Sequence, residues 1–534
     1  MKLSQVIAHL PLVIEAGPAD AEVVELTDAS RLAGPGVLFV ARPAGGERWR
    51  GFAADAASRG VAAVVASEKI DVPDGVSLVV GPVVDQRLAG ELAAAFFGRP
   101  ADRLKLIGVT GTNGKTTVAT LSRHLLHASD IKCGFIGTTA IDVGDPSGAK
   151  PAELTTPGAI ELQRLLSAMV SNGCAACAME VSSHALDQGR VEGLRFDVGV
   201  FTNLTQDHLD YHGTMEAYGR AKAKLFASLP RGAVAVLNAD DPASAVMAEA
   251  TEADVVWTTV IPPGPDEAGD EPTLRIAPGR HQAKLELLSA RVLEATASGC
   301  RVKLCHGLSE DEVAIPLVGV HNVSNWLQAT AAAVAAGANW KDSAATFDRL
   351  AAAPGRLEAV RVDGLDVQPA VLVDYAHTPD ALVNVLRALR PVTAGRLICV
   401  FGCGGDRDRT KRPIMAGAAS EMADVAVLTS DNPRTEDPQR ILDDAAAGVP
   451  PEKRESLMVE MDRATAIRRA VAMAEVGDTV LIAGKGHEDY QIVADPTASG
   501  GGGGTKKIHF DDREQAAEAL TAWAGQRAAA KGNA

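Results

Sequence analysis

At 534 residues the chain is too long for one hydrophobic core, and roughly three domains are expected. Hydrophobic residues at 46% and charged residues at 22% exclude a disordered chain. A formal charge of −16 excludes nucleic acid as the main partner, because phosphate backbones are bound by basic surfaces, and any anionic substrate must be met by local cations.

The N-terminal residues, from Met1 to Pro11, are broken by polar side chains and a proline, without the apolar core of a signal peptide. No later stretch stays apolar for ~20 residues, so membrane insertion is not expected and the cytoplasm is the expected compartment. Residues 1–103 mix short strands, at 37–40 and 62–65, with alanine-rich helical stretches. From residue 104 a strand–loop–helix pattern repeats, with strands expected at 104–109, 174–181, 196–201 and 233–237. Val118, Leu121 and Leu125 recur at helical spacing after the first of these. Residues 261–280, rich in proline, glycine and acid, read as an exposed loop, and the chain to about Pro316 as a strand-rich insertion. After Pro354-Gly355-Arg356 a second series has strands at 371–374, 396–401, 425–429 and 479–483, and the glycine run 500–504 reads as a flexible loop tip. The expected class is α/β in three domains: 1–103, 104–355 with a mostly parallel sheet, and 356–534 as a Rossmann-like α/β domain.

Seven cysteines, odd in number and scattered, do not suggest a disulfide framework. Cys174 and Cys177 form a lone CxxC without further ligands at metal spacing, and read as small hydrophobes in a strand.

Polar, glycine-containing clusters follow the strands at 110–117, 180–190, 202–212, 374–379, 402–409, 430–436 and 484–488. In open α/β sheets ligands bind beyond the carboxyl ends of strands, so a site between the central and C-terminal domains is expected. The first cluster, Gly111-Thr112-Asn113-Gly114-Lys115-Thr116-Thr117, has the form of a phosphate loop. Its glycines let backbone N–H groups face a phosphate at a helix start, Lys115 neutralises the terminal phosphates, and the Thr116 hydroxyl suits Mg²⁺. Val109 stands where the general pattern has its first glycine.

That variant loop resembles the Mur ligases, which build the peptide stem of peptidoglycan. The resemblance continues through Glu180-Val181-Ser182-Ser183-His184, Thr202-Asn203-Leu204, Asp207-His208-Leu209-Asp210 and Lys222. It extends through Gly319, His321-Asn322, Asn325, Pro354-Gly355-Arg356 and Asp374-Tyr375-Ala376-His377-Thr378-Pro379. Gly402-Cys403-Gly404-Gly405-Asp406-Arg407-Asp408, Asp431-Asn432-Pro433-Arg434 and Gly484-Lys485-Gly486-His487-Glu488 point to the members that add diaminopimelate.

The resemblance implies ATP-dependent peptide-bond formation through an acyl phosphate, with UDP-N-acetylmuramoyl-L-alanyl-D-glutamate, meso-2,6-diaminopimelate and ATP as substrates, Mg²⁺ as cofactor, and a monomer. It makes Lys115, Glu180, His208 and Lys222 catalytic, with Thr116, Glu180, His208 and a carbamylated Lys222 as metal ligands. Standing alone, Glu180 would be a strand-end carboxylate, His208 a structural histidine and Lys222 a solvated helix lysine. For ATP the resemblance implies Gly111 to Thr117, Asn322, Asn325, Arg356, Asp374 and His377; Asn322 could otherwise be a helix N-cap. For the UDP-sugar dipeptide, held partly by the N-terminal domain, it implies Ser30, Thr155, Thr156, Ser182, Gln188 and Arg190. Thr155-Thr156-Pro157 also reads as a helix start with proline at its first position, and Ala29 separates Asp28 from Ser30 where the family form is contiguous.

For diaminopimelate it implies Arg407, Asp431, Asn432, Pro433, Arg434, Gly484 and Glu488. The Arg434 guanidinium suits the far carboxylate of diaminopimelate, which lysine lacks. The alternatives are the lysine-adding ligase, the next ligase of the pathway, folylpolyglutamate synthetase, and a nucleotide-binding module without catalysis.

Overall fold

A computed structural model describes residues 1–43, 47–263, 286–306, 309–362, 365, 368–495 and 504–532. The loop expected at 261–280 lies outside the described residues from 264 on, and the glycine run lies outside them up to Gly503. The chain is α/β, and its contacts divide it into two compact units. One holds the residues up to 259 with 325–346; the other is built mainly from 290–324 and the chain from 347 on.

In the first unit, Val37–Val40 is apolar at every position because both faces of its sheet are covered. Leu38 and Val40 pack with Leu88 and Leu92 on one face, while Val37 and Phe39 pack with Trp49 and Ala53 on the other. The five strands run in the order Val13–Ala16, Ser77–Val80, Ala63–Ala66, Val37–Val40 and Glu25–Thr27, all parallel except the first.

A parallel series in the same unit has the order Asp254–Ile261, Val234–Asn238, Val198–Phe201, Lys105–Thr110, Ala176–Glu180 and Cys133–Ile136. Ile141–Asp142 adds an antiparallel edge. Val118, Leu121 and Leu125 are buried, as their spacing requires of helix Lys115–Ala128. The expected strand at 174–181 starts only at Ala176, with Cys174 buried just before it. Burial drives the thiol of Cys133 up to about 12 and raises those of Cys174 and Cys177, so these are unreactive packing groups.

In the second unit, six strands run Glu358–Val360, Ala370–Asp374, Thr479–Ala483, Leu397–Cys403, Val425–Ser430 and Leu457–Val459, parallel beyond the antiparallel Glu358–Val360 edge. Thr479–Ala483 returns to lie between Ala370–Asp374 and Leu397–Cys403. The strand order therefore reverses there, and a ligand crevice forms at such a reversal. A hairpin of Tyr490–Asp495 with Gly504–His509 follows. The strand-rich insertion is present as Glu286–Thr296, Gly299–His306 and Ser309–Ile315.

Two expected helix starts move. The helix after Pro157 begins at Ala159 with Gly158 as its N-cap, so Pro157 precedes the cap. Helix Val320–Ala335 starts before Asn322, whose side chain donates to the Val318 carbonyl at 2.9 Å from inside the first turn instead of capping it. No helix among the described residues is long and apolar enough to cross a membrane.

Candidate active site

Strand Lys105–Thr110 runs directly into the phosphate loop, and helix Lys115–Ala128 leaves it. Gly111 has φ +149° and Gly114 φ +84°, and a Cβ would overlap Thr202 Oγ1 at the first and Asn325 Oδ1 at the second. Both therefore need glycine for close approach as well as for conformation. The neighbouring loop staples the segment: Thr112 N–H donates to the Asn203 carbonyl at 2.8 Å and Asn113 N–H to Asn203 Oδ1 at 2.9 Å. Thr202 Oγ1 donates to the Asn113 carbonyl at 2.5 Å. Two N–H groups expected to face a phosphate are thus spent on Asn203. Anion binding falls to the first turn of the helix, whose N–H groups have no carbonyl within the helix. Lys115 folds over the loop, its ammonium donating to the carbonyls of Gly111 at 3.0 Å and Thr112 at 2.8 Å. Thr116 and Thr117 are buried beneath it.

Glu180 ends strand Ala176–Glu180 and is almost fully buried. Its carboxylate accepts from Thr138 N–H at 2.8 Å and from the Thr138 hydroxyl at 3.2 Å, and that hydroxyl lies 3.0 Å from Thr155 Oγ1. Thr156 Oγ1 donates to the Glu180 carbonyl at 2.9 Å and accepts from Ser182 N–H at 3.1 Å. Arg190 donates to the Thr156 carbonyl at 3.0 Å and grips Gln188 Oε1 through Nε and Nη2 at 3.0 and 2.5 Å. Thr155, Thr156, Ser182, Gln188 and Arg190, which the sequence supplies from separate segments, therefore form one hydrogen-bonded network with Glu180. Ser30 is not joined to that network by any contact described; it begins the turn Ser30–Leu32, behind an Asp28–Arg42 ion pair of 2.6 Å.

Beside the phosphate loop lies a cluster of rings. His184 packs against His208 at 4.8 Å and Tyr211 at 4.2 Å, and Tyr218 lies 5.1 Å from His212. The Tyr218 hydroxyl is 3.2 Å from Thr112 Oγ1. Lys222, on helix Met215–Ala227, is 1% exposed, and its ammonium sits over the Tyr218 ring at 4.2 Å. The solvated-lysine reading is thereby overturned. Burial, reinforced by the nearby Lys115 cation, holds the Lys222 amine well below its ordinary value. His208, by contrast, is exposed and has a left-handed backbone at φ +52°.

In the second unit, Asp374 ends its strand with both carboxylate oxygens engaged, accepting from Leu357 N–H at 2.8 Å and Ala376 N–H at 2.9 Å. The carboxylate thus braces the segment from Arg356 to His377. Arg356 lies over the Tyr375 ring at 5.4 Å, and Tyr375 packs against His377 at 4.5 Å.

The loop Asp431 to Arg434 follows strand Val425–Ser430. Asn432 Nδ2 donates to Glu488 Oε2 at 3.1 Å, Ile492 N–H donates to Asn432 Oδ1 at 2.9 Å, and Arg434 N–H donates to the Ile492 carbonyl at 3.0 Å. The Arg434 guanidinium donates to the Gly405 carbonyl at 2.7 Å. A Cβ on Gly404 would lie 3.0 Å from Arg434 Nη1 and 3.8 Å from Arg407 Cγ, so the two arginines converge there. Gly484 lies beside Asp431 and the buried Arg463. Pro433 presses its carbonyl onto Gly405, where a Cβ would overlap it.

A family model described as the Mur ligase middle domain matches residues 109–333, and one described as the Mur ligase glutamate ligase domain matches 355–486. The chain belongs to the Mur ligase family. A relative in Synechococcus elongatus, named UDP-N-acetylmuramoyl-L-alanyl-D-glutamate–2,6-diaminopimelate ligase, is 44% identical over 97% of this Mur ligase and 99% of its own length. One of the same name in Geobacillus kaustophilus is 43% identical over 97% and 99%. A solved structure of an enzyme of that name shares 33% identity over 98% of this chain and 99% of its own, with a TM-score of 0.68. A solved UDP-N-acetylmuramoylalanyl-D-glutamyl-2,6-diaminopimelate–D-alanyl-D-alanyl ligase from Acinetobacter baumannii, at 18% identity, 90% and 95% coverage and a TM-score of 0.57, shares the fold.

Sequence reasoning assigned no role to Thr138, Asn203, Tyr218 or Lys485 in this Mur ligase. Asn203 and Lys485 stood inside quoted motifs, which was a usable signal. Thr138 reaches Glu180 across 42 residues and carried none.

Proposed function

We propose that this Mur ligase joins meso-2,6-diaminopimelate to UDP-N-acetylmuramoyl-L-alanyl-D-glutamate with hydrolysis of ATP to ADP and phosphate. The observation that carries this reading is relatedness, along 97% of the chain, to ligases named for that reaction. The Asp431 to Arg434 loop supports it chemically, because a guanidinium recognises a carboxylate that lysine does not carry.

The division of labour follows the three expected domains: 1–103 with Ser30 for the UDP-sugar, 104–355 for ATP, and 356–534 for the amino acid. The glutamate carboxylate attacks the γ-phosphate, giving an acyl phosphate and ADP. The amine of diaminopimelate then attacks the acyl carbon, forming the amide, losing a proton and expelling phosphate. Two anions meet in the first step, so Lys115 and the start of its helix screen their charge. Thr155, Thr156, Ser182, Gln188 and Arg190 hold the dipeptide beside Glu180. By the family resemblance, Asn322, Asn325, Arg356, Asp374 and His377 are further nucleotide residues. Arg434 and Arg407 take carboxylates, and Asp431 with Glu488 takes an ammonium.

Among the described residues, no group of three or more His, Cys, Asp and Glu side chains could hold a metal by itself. The oxygens of Thr116 and Glu180 would hold a first Mg²⁺ and His208 a second ion, and Lys222 fits as a ligand once it carries an oxygen, to which its suppressed protonation suits it. A neutral Lys222 amine bonds to carbon dioxide and releases a proton, leaving an anionic carbamate. Bound Mg²⁺ supplies further screening of the phosphate oxygens. We read the enzyme as a cytoplasmic monomer.

ADP release measured with each substrate omitted tests the reading. Release is expected only with both the UDP-muramoyl-dipeptide and diaminopimelate, and weakly or not at all with lysine. Release without an acceptor amine, or equally fast with lysine, would overturn it.

A further inference from the structure

Strand Thr479–Ala483 is followed by Gly484, and the next side chain, Lys485, is fully buried. A buried ammonium is tolerated only where opposite charge and hydrogen bonds compensate it. Here its Nζ lies 3.5 Å from Asp431 Oδ1 and 3.5 Å from Glu488 Oε2, and donates to Asn432 Oδ1 at 3.2 Å. Two further buried cations nearby have their own partners: Arg463 is closed on Asp512 through Nε at 2.7 Å and Nη2 at 2.6 Å, and Arg412 on Glu436 and Asp444. Two carboxylates against one ammonium leave the recess with one formal negative charge. Asp431 Oδ1 is buried and accepts no hydrogen bond from the described residues, so the Lys485 ammonium at 3.5 Å is what balances its charge. Arg434 on the same loop, with Arg407 converging on it at Gly404, supplies the positive side.

That balance matches a ligand end carrying one ammonium and one carboxylate, the far end of a diamino diacid. It mismatches a lone ammonium, the far end of lysine. We infer that Lys485 is a specificity-determining positioning residue: by cancelling one of the Asp431 and Glu488 carboxylates, it tunes the recess to the ammonium–carboxylate end of the amino-acid substrate. The inference rests on reading this loop as the diaminopimelate site. Without Lys485 the recess would carry two negative charges, drawing cations and repelling the carboxylate.

The test uses the full-length Lys485→Met variant, which keeps the side chain's length and removes its charge. The KM for diaminopimelate is expected to rise about tenfold, with kcat and the KM for ATP changed by less than about threefold. The kcat/KM ratio of lysine to diaminopimelate is expected to rise about tenfold or more. Lys485→Gln, which also removes the charge but keeps a donor for Asn432, should raise the ratio to within about threefold of the Lys485→Met value. It serves as the readout if Lys485→Met fails to fold. An unchanged ratio in Lys485→Met or in Lys485→Gln overturns the inference. Arg434→Ala run in parallel separates the two failures. If it raises the diaminopimelate KM while Lys485→Met leaves the ratio unchanged, only the role of Lys485 falls. If neither variant alters the diaminopimelate KM, the reading of the loop falls with it.

Discussion

Lys222 in the first unit and Lys485 in the second are equally hidden from solvent, yet their surroundings prepare them for opposite uses. Lys485 faces two carboxylates and a side-chain amide oxygen within 3.5 Å. Lys222 has an aromatic face at 4.2 Å and, among the described residues, no carboxylate at ion-pair distance; its neighbour Lys115 repels its proton further. Burial alone therefore does not decide what a lysine does. The partners that accompany it determine whether the charge is retained as a fixed counter-ion or given up so that the nitrogen can react.

Arginine substitution is the sharpest way to break this comparison, since it keeps the positive charge and removes the reactive amine. Lys222→Arg is expected to lower kcat by about 10³-fold, because a guanidinium cannot become a carbamate. A ¹³C-labelled carbon dioxide signal at this position should vanish with it. Retained activity would return Lys222 to a structural role.

Arg434→Ala probes the region around Lys485 without touching the buried pair. The KM for diaminopimelate should rise by about 10 to 100-fold while the KM for ATP stays nearly constant. Steady-state kinetics with each substrate varied in turn would reveal whether the loss is confined to the amino acid.

The smallest effect is on stability. His487, two residues beyond Lys485, resembles Lys222 more than its neighbour: burial, then the cations of Arg356 and Arg513, lower its value from 6.5 to about 4. Between those values the unfolded chain takes up a proton at this ring that the folded chain does not. Stability from this group is therefore present above pH 6.5 and is lost as pH falls toward about 4. Thermal unfolding across that window should show the decline, and His487→Phe should flatten it.

The sheets were legible because strands buried on both faces read as unbroken apolar runs, and Thr479–Ala483 matches its expected bounds. The loops were legible because glycine-rich clusters follow those runs. The state of the two lysines was not, since Ala221-Lys222-Ala223-Lys224 looks the same whether the helix face meets water or Tyr218. Asn432 reaches Lys485 across 53 residues, a separation at which local pattern carries no information. The helix starts at Ala159 and Val320 were missed or shifted because a good first-turn residue signals a start without setting its register.

The closeness of Gly111 to Thr202 has a historical consequence. Any side chain at 111 would collide with the hydroxyl that secures the Asn113 carbonyl, so neither position can drift alone. An exchange at 111 stays strained even after 202 has shrunk, because φ +149° and the Asn203 backbone still oppose a side chain, and shrinking 202 releases the loop. Selection thus meets a cost at either position, and the two are expected to descend unchanged as a linked pair.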